Sequence, residues 1–235
     1  MIWIAEKNLI FVHNPKCAGT AIHKALMTRF PKAEEQWGRR YEAARDTIID
    51  LAHMSLSEGR AQFGLDADVA SFGFVRDPYA RFLSAWRHLK HWNRDFAQIA
   101  PDELAFDVLD EERVRHDWKF VHFAPQYRFF FEGPRRAVTR LWKTEALPAA
   151  WGEVERAFGF EAPLPYENSL GKGQSELSDA LVARLNLLYA RDFALFDYPL
   201  RRTRAPASRG RELYAKFVRL WPERRKLDMS DKSEI

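Results

Sequence analysis

Two stretches of the chain show the same order of a short apolar run, a polar turn and an amphipathic segment. The first run, residues 8–13, is rich in strand formers, and apolar residues at helical spacing follow it from Thr20. The second run, residues 70–75, leads through Arg76-Asp77-Pro78 into another amphipathic segment. Short continuous apolar runs are typical of buried strands in a parallel sheet. The pattern predicts two strand–turn–helix units, the second helix starting with Asp77 as its N-cap.

Further along the chain the pattern predicts one more strand and two more helices. The strand is expected at residues 137–142, and the helices at residues 148–158 and 176–193. Residues 96–131 are crowded with aromatics and less regular, and we expect helices covering a cleft there. Strands that alternate with helices favour an α/β fold with a central parallel sheet and flanking helices.

Composition narrows the class of protein. The 46% hydrophobic and 14% aromatic content is ample for a packed core. A single cysteine, Cys17, excludes an intrachain disulfide and multi-cysteine metal sites, and it favours a reducing compartment. There is no export signal pattern at the start and no uninterrupted apolar run long enough to span a bilayer. We therefore expect a soluble, cytoplasmic protein.

Charge is distributed unevenly along the chain. The formal charge is +4, but ten basic and two acidic residues lie between Leu200 and Lys226, so this segment carries +8 and the rest −4. We expect a main domain at residues 1–199 and a basic, partly helical extension at residues 200–235. A charge run of this kind is usually a solvated surface, although it would also suit an acidic acceptor.

The turn after the first strand has the features of an anion site. In a strand–turn–helix unit the N–H groups and dipole at the helix N-terminus attract phosphate groups. Lys16 adds a full charge, Gly19 permits close approach of the backbone, and Thr20 adds a hydroxyl donor. The lysine precedes the glycine, so this is not the nucleoside triphosphatase loop, in which the lysine follows it.

A second anion site is expected after the second strand. The Arg76 guanidinium can donate two hydrogen bonds to phosphate oxygens, and Ser84, on the following helix, can add a hydroxyl. Taken alone, Arg76 would more often pair with a neighbouring carboxylate such as Asp77.

These two segments together resemble those of a known enzyme family. Residues 13–20, His-Asn-Pro-Lys-Cys-Ala-Gly-Thr, resemble the 5′-phosphosulfate-binding loop of sulfotransferases that use 3′-phosphoadenosine 5′-phosphosulfate, or PAPS. Residues 74–86 resemble the 3′-phosphate-binding segment. The similarity covers roughly residues 9–198 and is to carbohydrate sulfotransferases related to the heparan 2-O- and 6-O- and chondroitin 4-O-enzymes. Ala21 stands where this family frequently has serine.

The resemblance implies a P-loop-like nucleotide-binding fold and a PAPS-dependent transfer of a sulfuryl group to a hydroxyl. No metal is expected, because His88 and His91 have a spacing that could bind one but lack a carboxylate or cysteine nearby in the sequence. Lys16 would contact the 5′-phosphate and stabilise the charge that develops on the leaving oxygen. Arg76 and Ser84 would bind the 3′-phosphate. Lys172 is not part of the resemblance, but it lies between Gly171 and Gly173 and is expected to close over the cofactor, the alternative being a solvated loop lysine. The remaining cofactor contacts would come from Pro15, Cys17, Ala18, Gly19, Thr20 and Ala21.

Transfer to a hydroxyl also needs a base, and histidine titrates in the useful range. His53 lies between the two cofactor motifs, and the resemblance aligns it with the catalytic histidine of 2-O- and 6-O-type enzymes. Glu58, His122 and His116 are alternative bases. Gln126, His122 and Tyr127 are expected to line the site of the acceptor, a saccharide or glycolipid.

Two other functions stay open from sequence. One is phosphoryl transfer on a related nucleotide fold, which the missing Walker lysine disfavours. The other is non-catalytic binding of polyanions through residues 200–226. No nucleic-acid-binding module is recognisable, so nucleic acid is not expected as a partner.

Overall fold

The computed structural model describes residues 1–43, 46–110, 113–114, 117–165 and 177–203. Three features expected from sequence lie outside these residues: Lys172, His116 and the basic extension from residue 204 on. The described chain divides into two compact units. The first contains residues 1–76 and 128–165, and the second contains residues 77–127 and 177–203, with the gaps given above.

All described strands belong to the first unit. They are β1 (Ile2–Ile4), β2 (Leu9–Val12), β3 (Glu34–Glu35), β4 (Arg39–Glu42), β5 (Thr47–Asp50), β6 (Ala70–Val75), β7 (Phe131–Glu132), β8 (Arg135–Arg136) and β9 (Arg140–Lys143). The main sheet has the order β3-β1-β2-β6-β9, and β4–β5 and β7–β8 are separate antiparallel pairs. In the main sheet β2, β6 and β9 run parallel, whereas β1 and β3 add an antiparallel edge. The fold is therefore α/β, as predicted.

The longer helices lie in both units. They are α1 (Gly19–Arg29), α2 (Leu56–Phe63), α3 (Pro78–Trp92), and the helices Leu147–Phe158, Asp179–Leu188 and Ala190–Leu195. Asp77 caps α3 by accepting a hydrogen bond from the Ala80 N–H at 2.9 Å, and Pro78 occupies the first turn, as expected from sequence. Residues 94–130 form only short helical turns among the described residues.

The core of the first unit lies against the main sheet. Phe11 and Phe72, from neighbouring parallel strands, have ring centroids 5.2 Å apart and are completely buried. Burial of a side chain of this size stabilises the fold by about 1.5–3 kcal/mol. Gly73 leaves room for Phe130, since a Cβ atom at this position would lie 2.4 Å from the Phe130 ring. Aromatic packing thus fixes the strands whose ends carry the two predicted anion motifs.

The second unit is organised around a buried polar group. Asp192 is completely buried and accepts hydrogen bonds from the main-chain N–H groups of Gln126 and Tyr127, at 2.7 and 2.9 Å. Burial raises the pKa of Asp192 to about 6, while the neighbouring Arg81 guanidinium opposes that shift. Arg81 is also completely buried and donates a hydrogen bond to the Ala124 carbonyl oxygen at 2.7 Å.

Several element boundaries differ from the sequence prediction. The strand expected at residues 137–142 begins only at Arg140 and ends at Lys143, because it pairs in register with β6. The single helix expected up to residue 193 is divided at Tyr189, whose backbone leaves the helical conformation and whose side chain is buried. Strand β1 and the β4–β5 hairpin were not predicted.

Candidate active site

The loop between β2 and α1 has an unusual backbone. Lys16 and Ala18 adopt positive φ angles of 64° and 61°, in the left-handed region that residues with a side chain rarely occupy. Each such residue costs about 1–3 kcal/mol, so the rest of the structure must hold the loop in this shape. Left-handed residues next to helical ones turn successive N–H groups toward one point, and such concavities bind anions.

Helix α1 begins at the end of this loop. Its N-cap residue is Ala18, which has no side-chain oxygen to accept from the first-turn N–H groups. The regular helical hydrogen bonds start with the Ile22 N–H, which donates to the Ala18 carbonyl oxygen at 3.2 Å. The N–H groups of Gly19, Thr20 and Ala21 therefore precede the helical ladder. Together with the positive end of the helix dipole, they suit a phosphate or sulfate group.

Two side chains hold the loop to the sheet. Asn14 is buried and its amide nitrogen donates to the Cys17 sulfur at 3.2 Å and to the Phe74 carbonyl oxygen at 2.9 Å. The Arg76 Nη1 atom donates to the Lys16 carbonyl oxygen at 3.2 Å. Because β2 and β6 are adjacent and parallel, the segments that follow them meet at one edge of the sheet. The structure thus brings Lys16 and Arg76 together, as the two motifs require.

His53 belongs to the same unit as this loop. It ends the short helical turn Leu51–His53, which the Asp50 carboxylate caps by accepting from the Ala52 N–H at 3.1 Å. The half-buried imidazole places Nδ1 2.9 Å from the carbonyl oxygen of His13. A carbonyl oxygen only accepts hydrogen bonds, so Nδ1 carries the hydrogen. In the neutral ring, Nε2 is then the atom with a lone pair that can accept a proton.

The electrostatic surroundings keep this imidazole neutral near pH 7. Burial lowers the pKa of His53 below its usual 6.5, and the positive charge of Lys16 adds to this effect. The Asp50 carboxylate and the hydrogen bond to His13 act in the opposite direction. The influence of Lys16 places the predicted base within electrostatic range of the predicted phosphosulfate loop.

His13 contacts both the turn that carries His53 and the start of α1. Its ring is buried, with the His53 ring at a centroid distance of 4.6 Å. It also lies directly over the start of α1: a Cβ atom on Gly19 would be 1.8 Å from His13 Nε2. Glycine at position 19 therefore leaves room for the His13 ring. The adjacency of His13 to the loop was visible in the sequence, but its contact with His53 was not.

The remaining predicted cofactor residues are positioned as follows. Pro15, Cys17, Gly19 and Ala21 are buried, Ala18 is half-buried and Thr20 is exposed at the start of α1. Ser84 is half-buried on α3, which belongs to the second unit.

The predicted acceptor residues lie in or at the edge of the second unit. Gln126 is completely buried next to Asp192, so an acceptor would reach it only after a rearrangement. Tyr127 is half-buried, with the Arg191 guanidinium 4.1 Å from its ring centroid. His122 is half-buried, and its ring lies 4.6 Å from that of His88. The side chains of Gln126 and Tyr127 thus have structural partners.

The alternative base Glu58 has a structural task. It accepts hydrogen bonds from the Ser55 hydroxyl and N–H at 2.7 and 2.9 Å, and so completes the capping box of α2.

Within the described ranges there is no cluster of three or more histidine, cysteine or acidic residues able to hold a metal ion. Nor does any helix in them have the length and apolar character needed to cross a membrane.

Comparison with known proteins gives one match. Residues 1–199 match the model described as the sulfotransferase family. The matched region contains the loop with Lys16, the turn with His53 and the strand end with Arg76. Neither the curated proteins nor the solved structures include a match.

Proposed function

The chain belongs to the sulfotransferase family, and from this premise we propose that it transfers a sulfuryl group from PAPS to a hydroxyl group of a saccharide or glycoconjugate. The observation that carries the proposal is the hydrogen bond from Arg76 to the Lys16 carbonyl oxygen, because it joins the two anion motifs in one unit. A donor with phosphates at both the 5′ and the 3′ positions needs two such groups close together.

The residues of the loop fit a phosphosulfate group. The left-handed backbone at Lys16 and Ala18 and the first turn of α1 provide main-chain N–H donors, and Lys16 provides a positive charge. Donors fixed by the fold need not reorganise as negative charge develops on the leaving oxygen, which is where electrostatic catalysis is most effective. We assign Lys16 the stabilisation of that oxygen, and the segment from Pro15 to Ala21 the binding of the 5′ end.

Arg76 is assigned to the 3′-phosphate. Its Nη1 atom is used by the Lys16 carbonyl oxygen, but a guanidinium carries five N–H donors and can bind a phosphate with others. Ser84 is proposed as an additional contact to the cofactor on the basis of the sequence resemblance, and Lys172 on the basis of its position between two glycines. The acceptor contacts of His122, Tyr127 and Gln126 likewise remain proposals.

His53 is proposed as the general base. Nδ1 is committed to the His13 carbonyl oxygen, so Nε2 takes the proton from the attacking hydroxyl. When bound, PAPS supplies the sulfuryl group, whose bond to the 5′-phosphate oxygen breaks as the acceptor oxygen bonds to sulfur. The lowered pKa keeps His53 ready to receive a proton at neutral pH.

A thermal-shift titration tests the donor assignment without knowledge of the acceptor. The probes are 3′-phosphoadenosine 5′-phosphate, or PAP, and ATP with Mg²⁺. Saturation to 100 times Kd adds about 2.7 kcal/mol of stability, or roughly 5–10 °C for a domain of this size. We expect a shift of this order with PAP and a smaller one with ATP. A larger shift with ATP would favour phosphoryl transfer instead.

A further inference from the structure

Three stacked rings lead from the core of the first unit to its surface. Phe11 and His13 have centroids 5.8 Å apart with an interplanar angle of 24°, and His13 and Trp37 have centroids 5.7 Å apart with an angle of 27°. The exposed fraction rises along this column from 1% at Phe11 to 6% at His13 and 50% at Trp37. The indole of Trp37 is therefore the exposed end of a stack that contains the neighbour of His53.

The Trp37 indole contacts two imidazole rings. His13 stacks on it, and the His23 ring lies 4.7 Å from it in a tilted arrangement. His23 is in turn fixed by the Glu35 carboxylate, with Nε2 2.5 Å from Oε2. A ring whose orientation is set before binding loses less conformational freedom when a ligand stacks on it. Trp37 is thus a preorganised aromatic surface, and its stacking partner His13 also contacts the His53 ring.

Exposed apolar side chains concentrate in this part of the chain. Of the five large hydrophobic side chains that are exposed among the described residues, three lie between residues 37 and 48: Trp37, Tyr41 and Ile48. Tyr41 and Ile48 are directly opposite each other in the β4–β5 hairpin, and β5 runs straight into the turn that carries His53. Single exposed hydrophobics need no explanation, but three of them in one short segment, which leads into the turn with His53, favour a binding surface.

The charge of the same segment bears on which ligand it binds. Residues 34–50 contain three arginines and five carboxylates, so the segment is acidic. It therefore offers no net electrostatic attraction to a polyanionic chain. Hydroxyl groups both donate and accept hydrogen bonds, so a sugar can pair with the arginines as well as with the carboxylates of this segment. An open surface with an indole and mixed polar groups suits an uncharged sugar, whereas a phenolic acceptor would favour an enclosed apolar pocket.

We propose that Trp37 binds the acceptor by stacking against an uncharged sugar ring, whose hydroxyl then lies toward Nε2 of His53. This inference rests on the proposed sulfotransferase function and adds the acceptor class and a residue that recognises it.

Transfer of ³⁵S from labelled PAPS tests the inference, with cellotetraose, chitotetraose, chondroitin tetrasaccharide and 4-nitrophenol as acceptors. The variants are Trp37→Ala and the conservative Trp37→Phe. The matched control is Trp92→Ala, which removes an exposed tryptophan of the second unit. The Kd of PAP is measured for each variant by calorimetry.

We expect an uncharged tetrasaccharide to be the preferred acceptor, and Trp37→Ala to raise its KM about tenfold. The kcat and the Kd of PAP should not change, Trp37→Phe should recover part of the loss, and Trp92→Ala should behave as the wild type.

Two results would overturn the inference: preference for chondroitin or 4-nitrophenol, or an unchanged KM in Trp37→Ala. Absence of transfer to both uncharged tetrasaccharides, with PAP still bound, also counts against it and leaves the donor assignment intact. Failure of the wild type to bind PAP would instead contradict the proposed function itself. The two failures are therefore distinguishable in one set of measurements.

Discussion

The Nδ1 atom of His53 lies 2.9 Å from the main-chain carbonyl oxygen of His13, the first residue of the loop between β2 and α1. This hydrogen bond joins two segments that are 40 positions apart in the sequence. It fixes which ring nitrogen of His53 can accept a proton, and it ties the position of that ring to the loop. The loop proposed to bind the donor and the histidine proposed as the base are thereby connected through one backbone carbonyl.

Replacement of His53 should remove turnover and leave donor binding. General bases contribute about 10²–10⁴-fold to the rate, so we expect His53→Ala to lower kcat by a factor in that range. Calorimetry with PAP should give a Kd within about threefold of the wild-type value, since the phosphate donors are elsewhere. His91→Ala, an exposed histidine on α3, is the control. Unchanged turnover in His53→Ala would transfer the role of base to another residue.

The acidic limb of the pH–rate profile should report His53. Because burial lowers its pKa below 6.5, activity should fall only as the pH drops below that value and the ring becomes protonated. The Asp50 carboxylate raises this pKa, so Asp50→Asn should move the acidic limb to lower pH. Asparagine retains an oxygen that can cap the Ala52 N–H. The control is Asp68→Asn, an exposed carboxylate elsewhere in the unit; a limb that stays in place or rises in Asp50→Asn would exclude His53 as the titrating group.

Two substitutions of Lys16 separate the charge of the loop from its shape. Lys16→Ala and Lys16→Gly both remove the ammonium group, and both should lower kcat/KM by about 10²-fold or more. Only glycine adopts the positive φ of 64° without strain. Lys16→Gly should therefore be more stable to denaturant than Lys16→Ala by up to about 1–2 kcal/mol. Equal stability of the two variants would mean that the loop is not held in the left-handed conformation.

The sequence predicted the elements of this site better than their contacts. Residues 70–75 form β6 with the predicted boundaries, and α1 follows β2, as the apolar spacing from Thr20 indicated. Both patterns depend on local periodicity. The hydrogen bond between His53 and His13 depends on how distant segments pack, and no local pattern encodes it. The position of Trp37 was missed for the same reason, since its partners His13 and His23 come from different elements.

Gly19 offers a test of the packing around His13. A methyl group there would lie 1.8 Å from His13 Nε2, so Gly19→Ala should destabilise the protein by about 1–3 kcal/mol and lower activity by displacing the imidazole. The matched control is Gly152→Ala, within the helix Leu147–Phe158, where the nearest atom would be Arg156 Nη1 at 3.5 Å. That substitution should stabilise the protein by about 0.5–1 kcal/mol. Unfolding in urea measures both, and equal stability of the two variants would contradict the close contact.

Calorimetric titration with PAP and with adenosine 5′-phosphate tests the central claim most directly, since both anion sites must act on one ligand. The wild type should bind one PAP per chain, and should bind adenosine 5′-phosphate at least about tenfold more weakly because it lacks the 3′-phosphate. Arg76→Ala should abolish this difference, while Lys16→Ala should weaken the binding of both ligands. Failure of the wild type to bind PAP, or equal affinity of the wild type for the two ligands, would contradict the assignment of this site to PAPS.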